Sequence, residues 1–291
     1  VICWMEATVK ITNKRGISPG IYTISNDDYH RGIGKNALSK GGLVALEKSP
    51  AHLKEFRDNP PDPSPAMVFG AQFHYAVLEP ELFDKRYVVA PSVDRRTKKG
   101  KAEWAEFQLL LAENNQEVIT QESLDLIRQM RNSVFESEVA SGLLSAGVAE
   151  QSIFWNHPTW GFPCKCRPDF INEKYDVVVD LKSANDADRD AFARAAVNLK
   201  YHWQGYWYLA GIKEVLHDRY KDFIFIVVEK TPPYAVQIYI LQREHISLAR
   251  EQIKPLLSRY AECFASDNWP GPPDRIQTLE LPTWYVRTAL D

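Results

Sequence analysis

The spacing of hydrophobic positions changes twice along the chain, and each change marks a different kind of element. In ISNDDYHRGIGKNALSKGGLVALEKSPAHLKEFRDNP, turn residues precede apolar positions at Leu38, Leu43, Leu46, Leu53 and Phe56, a spacing that predicts two short helices. The proline cluster NPPDPSPA at 59–66 reads as a loop within the domain. In MVFGAQFHYAVLEPELF, Phe69, Phe73, Ala76 and Val77 share one helical face, and the helix is expected to end at Pro80. Two further helices are predicted over GKAEWAEFQLLLAENNQ and TQESLDLIRQMRNSVFESEVASGLLS, the second opening near Thr120 and Glu122.

The period then drops to two. AEQSIFWNH (149–157), GFPCKCRPDFIN (161–172) and YDVVVDLKSA (175–184) read as three successive strands with turns at PTWG and NEK. A helical stretch follows, ADRDAFARAAVNLKYHWQGYWYLAGIKEVL, with a break expected near Asn198. Two more strands, KDFIFIVVEKTPP and YAVQIYIL, lead to a closing helix from Glu244 to about Phe264. This order predicts an α/β (α+β) fold with a mixed central sheet flanked by helices. Residues 1–20 are expected to form a flexible leader and 21–265 a single domain. The proline-rich tail, 266–291, is expected to be irregular and to dock on the core or on a neighbouring subunit.

Composition narrows the function classes. Of 291 residues, 45% are hydrophobic and 12% aromatic, enough for a substantial core, and no apolar run approaches the roughly 20 residues that span a bilayer. The start lacks the apolar core of a signal peptide, so a cytoplasmic protein without membrane contact is expected. Four scattered cysteines, Cys3, Cys164, Cys166 and Cys263, suit reduced thiols rather than a disulfide framework or a zinc site. A formal net charge of −3 argues against indiscriminate binding of polyanions, but DRRTKKGK at 94–101 carries five cations.

The candidate chemistry lies in CRPDFINEKYDVVVDLKSAND. Asp180 closes an apolar run, Lys182 follows two residues later, and Asp169 stands 11 residues earlier behind Pro168. Ionised groups at a buried strand end must be paired or hold a metal. On neighbouring antiparallel strands the two acids come within reach of one hard cation, and alternation puts Asp180 and Lys182 on one face, with Leu181 pointing away. The Leu181 backbone carbonyl can still face the metal. Such a set suits Mg2+ against a phosphodiester, with Lys182 orienting or deprotonating a water. The plain alternative is a salt bridge at a strand rim.

Pro168-Asp169 followed by Asp180-Leu181-Lys182 resembles the PD-(D/E)xK nuclease pattern. GAQFHYAVLEP, with Gly70 and His74, resembles the G-x-x-x-H helix of RecB-like nucleases, and YHWQGYWYLAG, with Gln204 and Tyr208, resembles their Q-x-x-x-Y motif. Four-residue spacing puts Gln204 and Tyr208 on one helix face. The ordered set ISNDDYH, KSPAHLKEF, GAQFHYAVLEP, APSVDRRTKKGKAEW, AEQSIFW, CKCRPDFI, VVDLKSA and YHWQGYWYLAG resembles the nuclease domain of RecE-type exonucleases (exonuclease VIII) over most of residues 24–212. The resemblance implies a Mg2+-dependent enzyme, with Mn2+ able to substitute. Such an enzyme digests the 5′ strand of double-stranded DNA and leaves 3′ single strands for a RecT-like annealing partner. It also implies a homo-oligomeric ring, a tetramer. By the same resemblance His74, Asp169 and Asp180 are metal ligands, Lys182 is the catalytic lysine, and Glu150 assists a second metal, although a solvated acid fits Glu150 equally and a packed histidine fits His74.

Other candidate residues each fit two roles. Arg95 and Arg96 could contact DNA phosphates, or simply be solvated. Ser49 could bind a 5′ phosphate, but Ser-Pro is also an ordinary helix cap. Trp203, Tyr206 and Trp207 could stack on bases or pack in the core. One rival, an iron–sulfur nuclease, needs clustered cysteines that are missing, and no G-x-x-x-x-G-K-[ST] phosphate loop is present. Other rivals are a RecB-like nuclease of different polarity and a catalytically inert DNA-binding protein on the same fold.

Overall fold

The computed structural model describes residues 17–276 and 278–281. Most of the expected leader and the end of the tail therefore lie outside the described residues. The chain opens with β1 (Gly20–Tyr22) and α1 (Asn26–His30), followed by α2 (Lys40–Lys48) and α3 (Pro50–Asp58). Serine side chains cap these helices: Ser39 accepts from the Gly42 N–H and Ser49 from the His52 N–H, with Pro50 in the first turn of α3. Next come α4 (Pro65–Leu78), α5 (Pro80–Arg86), β2 (Tyr87–Val89), α6 (Lys98–Asn114), β3 (Glu117–Ile119), α7 (Gln121–Glu136) and α8 (Glu138–Leu143). Pro80 ends α4 as expected, and it also starts α5, because a first-turn proline lacks only an N–H that would be unpaired anyway. The single helix expected from Thr120 is two, since Ser137 accepts from the Ala140 N–H and restarts it.

The period-two region differs most from expectation. The three predicted strands are β4 (Gly147–Ala149), β5 (Ser152–Asn156), β6 (Pro163–Cys166), β7 (Phe170–Asn172) and β8 (Val177–Ala184). AEQSIFWNH breaks at Glu150, whose φ of 51° turns the chain from one sheet into another. GFPCKCRPDFIN breaks at Arg167–Asp169, where Pro168 has no N–H to give a ladder. After α9 (Arg189–Asn198) the helix stops and restarts as α10 (Tyr201–Leu216) through Lys200 at φ 56°. The chain ends in β9 (Asp222–Glu229), β10 (Val236–Ile240) and α11 (Arg243–Ser266).

The main sheet has the order β10-β9-β8-β7-β4, antiparallel except for the parallel β8–β9 pair. β1-β5-β6 form a second, antiparallel sheet, and β2 and β3 pair in parallel. The mixed sheet flanked by helices is thus observed. Its two faces carry separate cores. Val178 packs with Trp203, Trp207, Phe223 and Phe225 on one side, while Val177, Val179 and Leu181 pack with Phe73, Ile127 and Met130 on the other. Each fully buried aliphatic side chain contributes roughly 1.5–3 kcal/mol. The beginning of the tail lies on α3 and α11: Ala51 N–H donates to the Pro270 carbonyl, and Trp269 meets Arg57 and Tyr260. Among the described residues no helix is long and apolar enough to cross a membrane.

Candidate active site

The site arises because two neighbouring strands differ in length. β7 pairs with β8 only from Val177 to Val179, whereas β9 accompanies β8 to Ala184. Beyond Val179 the β7 side of β8 is left without a strand partner, and side chains take over. Asp169, just before β7, accepts the Leu181 N–H on Oδ2 at 2.7 Å, and His74 Nε2 donates to the Leu181 carbonyl at 2.8 Å. With Nε2 so engaged, His74 Nδ1 faces Asp169 Oδ2 at 3.6 Å and Glu150 Oε1 at 3.9 Å. The left-handed turn at Glu150 is tied in place by its N–H donating to the Asp169 carbonyl at 3.0 Å.

One ligand atom each from His74, Glu150 and Asp169 lies within 4.8 Å of the others. Two carboxylates and one imidazole fit a divalent cation that completes its shell with water or phosphate oxygens. Burial works against charge on His74, but Asp169 and then Glu150 outweigh it and push the imidazole up to about 9. Asp169 itself is raised by burial, against the pull of His74 and Lys182.

Asp180 and Lys182 form the other half. Alternation along β8 puts both on one face, where Lys182 Nζ contacts Asp180 Oδ2 and Gln204 Nε2 donates to Asp180 Oδ1. Asp180 is fully buried, and burial together with Asp169 raises it to about 6. Burial penalises the Lys182 ammonium, yet Asp180 and Asp169 more than reverse this and hold it protonated. A protonated Lys182 can orient water or offset phosphate charge but cannot accept a proton. Tyr208, one turn beyond Gln204 on α10, is raised by burial and then by Tyr29, Asp180 and Asp169, so its hydroxyl stays protonated.

Not every expected residue sits where the sequence suggests. Asp180, expected with His74 and Asp169 as a ligand, has its carboxylate engaged by Lys182 and Gln204, while the compact triad is His74, Glu150 and Asp169. The Leu181 carbonyl points into the site but already accepts from His74. Ser49 is buried as the cap of α3, with its Oγ 2.7 Å from His52 Nδ1, the capping alternative given by the sequence. Trp203 and Trp207 are 2% exposed and pack in the core rather than offering faces for stacking. Arg95 and Arg96 are exposed: the Arg95 guanidinium lies 4.5 Å from the Trp104 ring, and the Arg96 N–H donates to Asp94. Sequence reasoning missed Tyr201, whose ring centroid is 4.9 Å from Lys182 Nζ, and Lys40, 5.8 Å from the same ring. Tyr201 sits three residues before Gln204, the one signal that could have marked it.

Residues 39–282 match the sequence profile of a PDDEXK-like domain of unknown function (DUF3799). The chain belongs to this family. The stretch matched to this PDDEXK-like domain includes His74, Glu150, Asp169, Asp180 and Lys182. Its fold is similar to that of a candidate exonuclease from Eubacterium rectale, with a TM-score of 0.60 at 12% identity, covering 91% of this chain and 98% of the other. A phage-related exonuclease from Haemophilus somnus 129PT aligns with a TM-score of 0.34 at 13% identity, over 59% of this chain and 85% of the other. No curated protein matches.

Proposed function

We propose that this PDDEXK-like domain is a divalent-metal-dependent exodeoxyribonuclease that digests the 5′ strand of double-stranded DNA ends, using Mg2+ with Mn2+ as a substitute. The observation that carries the reading is the convergence of His74, Glu150 and Asp169 on one point beside the Asp180–Lys182 pair. A bound divalent cation supplies charge neutralisation at the phosphate and a more acidic water. The chain's own residues do the rest. His74 and Asp169 fix the end of β8 through the Leu181 backbone, and Gln204 holds Asp180 so that Lys182 keeps its ammonium at the crevice. That ammonium orients the attacking water and offsets charge gathering on the phosphate oxygens.

The exonuclease description of the Eubacterium rectale structure supports nucleic acid hydrolysis, and the likeness to RecE-type enzymes supports the polarity. On that likeness the product is a 3′ single strand for a RecT-like annealing partner in homologous recombination, and the enzyme is a cytoplasmic homo-oligomeric ring, a tetramer.

The test is linear duplex labelled at either the 5′ or the 3′ end, incubated with Mg2+, Mn2+ or chelator. Early release of labelled mononucleotides from the 5′-labelled strand, abolished by chelator and lowered roughly 10³-fold or more in Asp180→Ala with the fold intact, is expected. Early release from the 3′ label overturns the polarity. Binding without hydrolysis under every metal condition, or full activity in Asp180→Ala, overturns the enzyme assignment.

A further inference from the structure

A second lysine approaches the ring beside Lys182. Lys40 opens α2 directly after its cap, Ser39, and its Nζ donates to the carbonyl of Leu199, the residue that ends α9, at 2.7 Å. The same nitrogen lies 5.8 Å from the centre of the Tyr201 ring, which Lys182 Nζ approaches to 4.9 Å. One ring, packed against Phe192 and Phe225, is thus approached by two lysine side chains brought from distant parts of the chain.

The two cations differ in their partners. Lys182 is paired with Asp180, and the nearby Lys200 is paired with Glu47 at 2.9 Å. Burial and then the Lys182 charge push the Lys40 amine down to about 8, against the pull of Asp180, which is already engaged by Lys182 and Gln204. Lys40 is half-buried, and one carbonyl satisfies only one of its three donors. Among the described residues it forms no ion pair, while a partly desolvated cation is stabilised when an anion reaches it. The anion that the proposed reaction brings to this crevice is a phosphodiester.

We infer that Lys40 binds the phosphate adjoining the one that faces Lys182, and so sets the register of the strand in the crevice. This rests on the nuclease reading above. A purely structural duty also exists, because a cation at the C-terminal end of α9 stabilises that helix end. That duty predicts a change in thermal stability with no change in the salt response of DNA binding.

Binding of a fluorescein-labelled, 5′-phosphorylated blunt duplex to the full chain, followed by anisotropy with Ca2+ over a range of KCl concentrations, separates the two. Lys40→Gln keeps a donor for Leu199. It is expected to weaken binding and to lower the slope of log K against log salt by about 0.9, the share of one phosphate contact, with an unchanged melting temperature. Lys40→Arg is expected to keep the wild-type slope. If the wild type cuts duplex and Lys40→Gln binds with the wild-type affinity and slope, the Lys40 assignment is overturned alone. If the wild type neither binds nor cuts duplex, the nuclease reading falls and takes this inference with it.

Discussion

His74 has two duties, one at each ring nitrogen. Nε2 holds the Leu181 carbonyl, so any divalent cation must use Nδ1, the nitrogen facing Asp169 and Glu150. In the metal-free protein that nitrogen carries a proton up to about pH 9, against an ordinary imidazole value of 6.5. The folded imidazolium therefore adds stability that is complete below pH 6.5 and lost as pH climbs through 9. Cation binding must expel this proton, so Mn2+ affinity should rise about tenfold per pH unit between pH 6.5 and 8.5. Calorimetry in buffers of differing ionisation enthalpy should record close to one proton released per ion. A pH-independent affinity with no proton release would remove His74 from the ligand set.

At the scale of elements, the position of α10 matters most, because it carries Gln204, Tyr208 and Tyr201 together. Its approach to β5 depends on Gly211: a Cβ there would lie 2.5 Å from Trp155 Cζ3, and Trp155 is only 4% exposed. Gly211→Ala should therefore destabilise the fold by about 1–3 kcal/mol, read as a lower urea midpoint, because the new methyl overlaps the buried indole and either the ring or the helix must shift. An unchanged midpoint would mean that the helix shifts freely. Much of this architecture was legible in the sequence: the apolar run into Asp180, the alternation that pairs it with Lys182, and the four-residue step from Gln204 to Tyr208. What escaped depends on the breaks in the elements. Glu150 is named in the sequence only as an assistant to a second metal, and its place beside His74 and Asp169 goes with a left-handed backbone that its side chain does not advertise. Lys40 comes from a helix start with no motif, and its proximity to Lys182 exists only in three dimensions.

In the whole molecule, the triad joins segments that are far apart in the chain: α4 supplies His74, the turn after β4 supplies Glu150, and the approach to β7 supplies Asp169. An ion held there binds the folded state and not the unfolded chain. At a concentration 100 times its dissociation constant, Mn2+ should add about 2.7 kcal/mol, a rise of a few degrees in melting temperature. Differential scanning calorimetry of the wild type and Asp169→Asn should show the rise only in the former. An equal rise in both would place the ion elsewhere.

The abrupt end of the β7–β8 ladder has a practical corollary for the choice of variants that test the proposed activity. Two side chains impersonate a missing strand there, one as acceptor and one as donor to the same peptide unit. Trimming either to alanine strips a buried backbone group of its only substitute for a neighbour, at about 1–3 kcal/mol, so loss of turnover in such a variant is confounded with a loosened sheet. Asparagine at position 169 keeps an oxygen for the Leu181 N–H and is the cleaner choice of control.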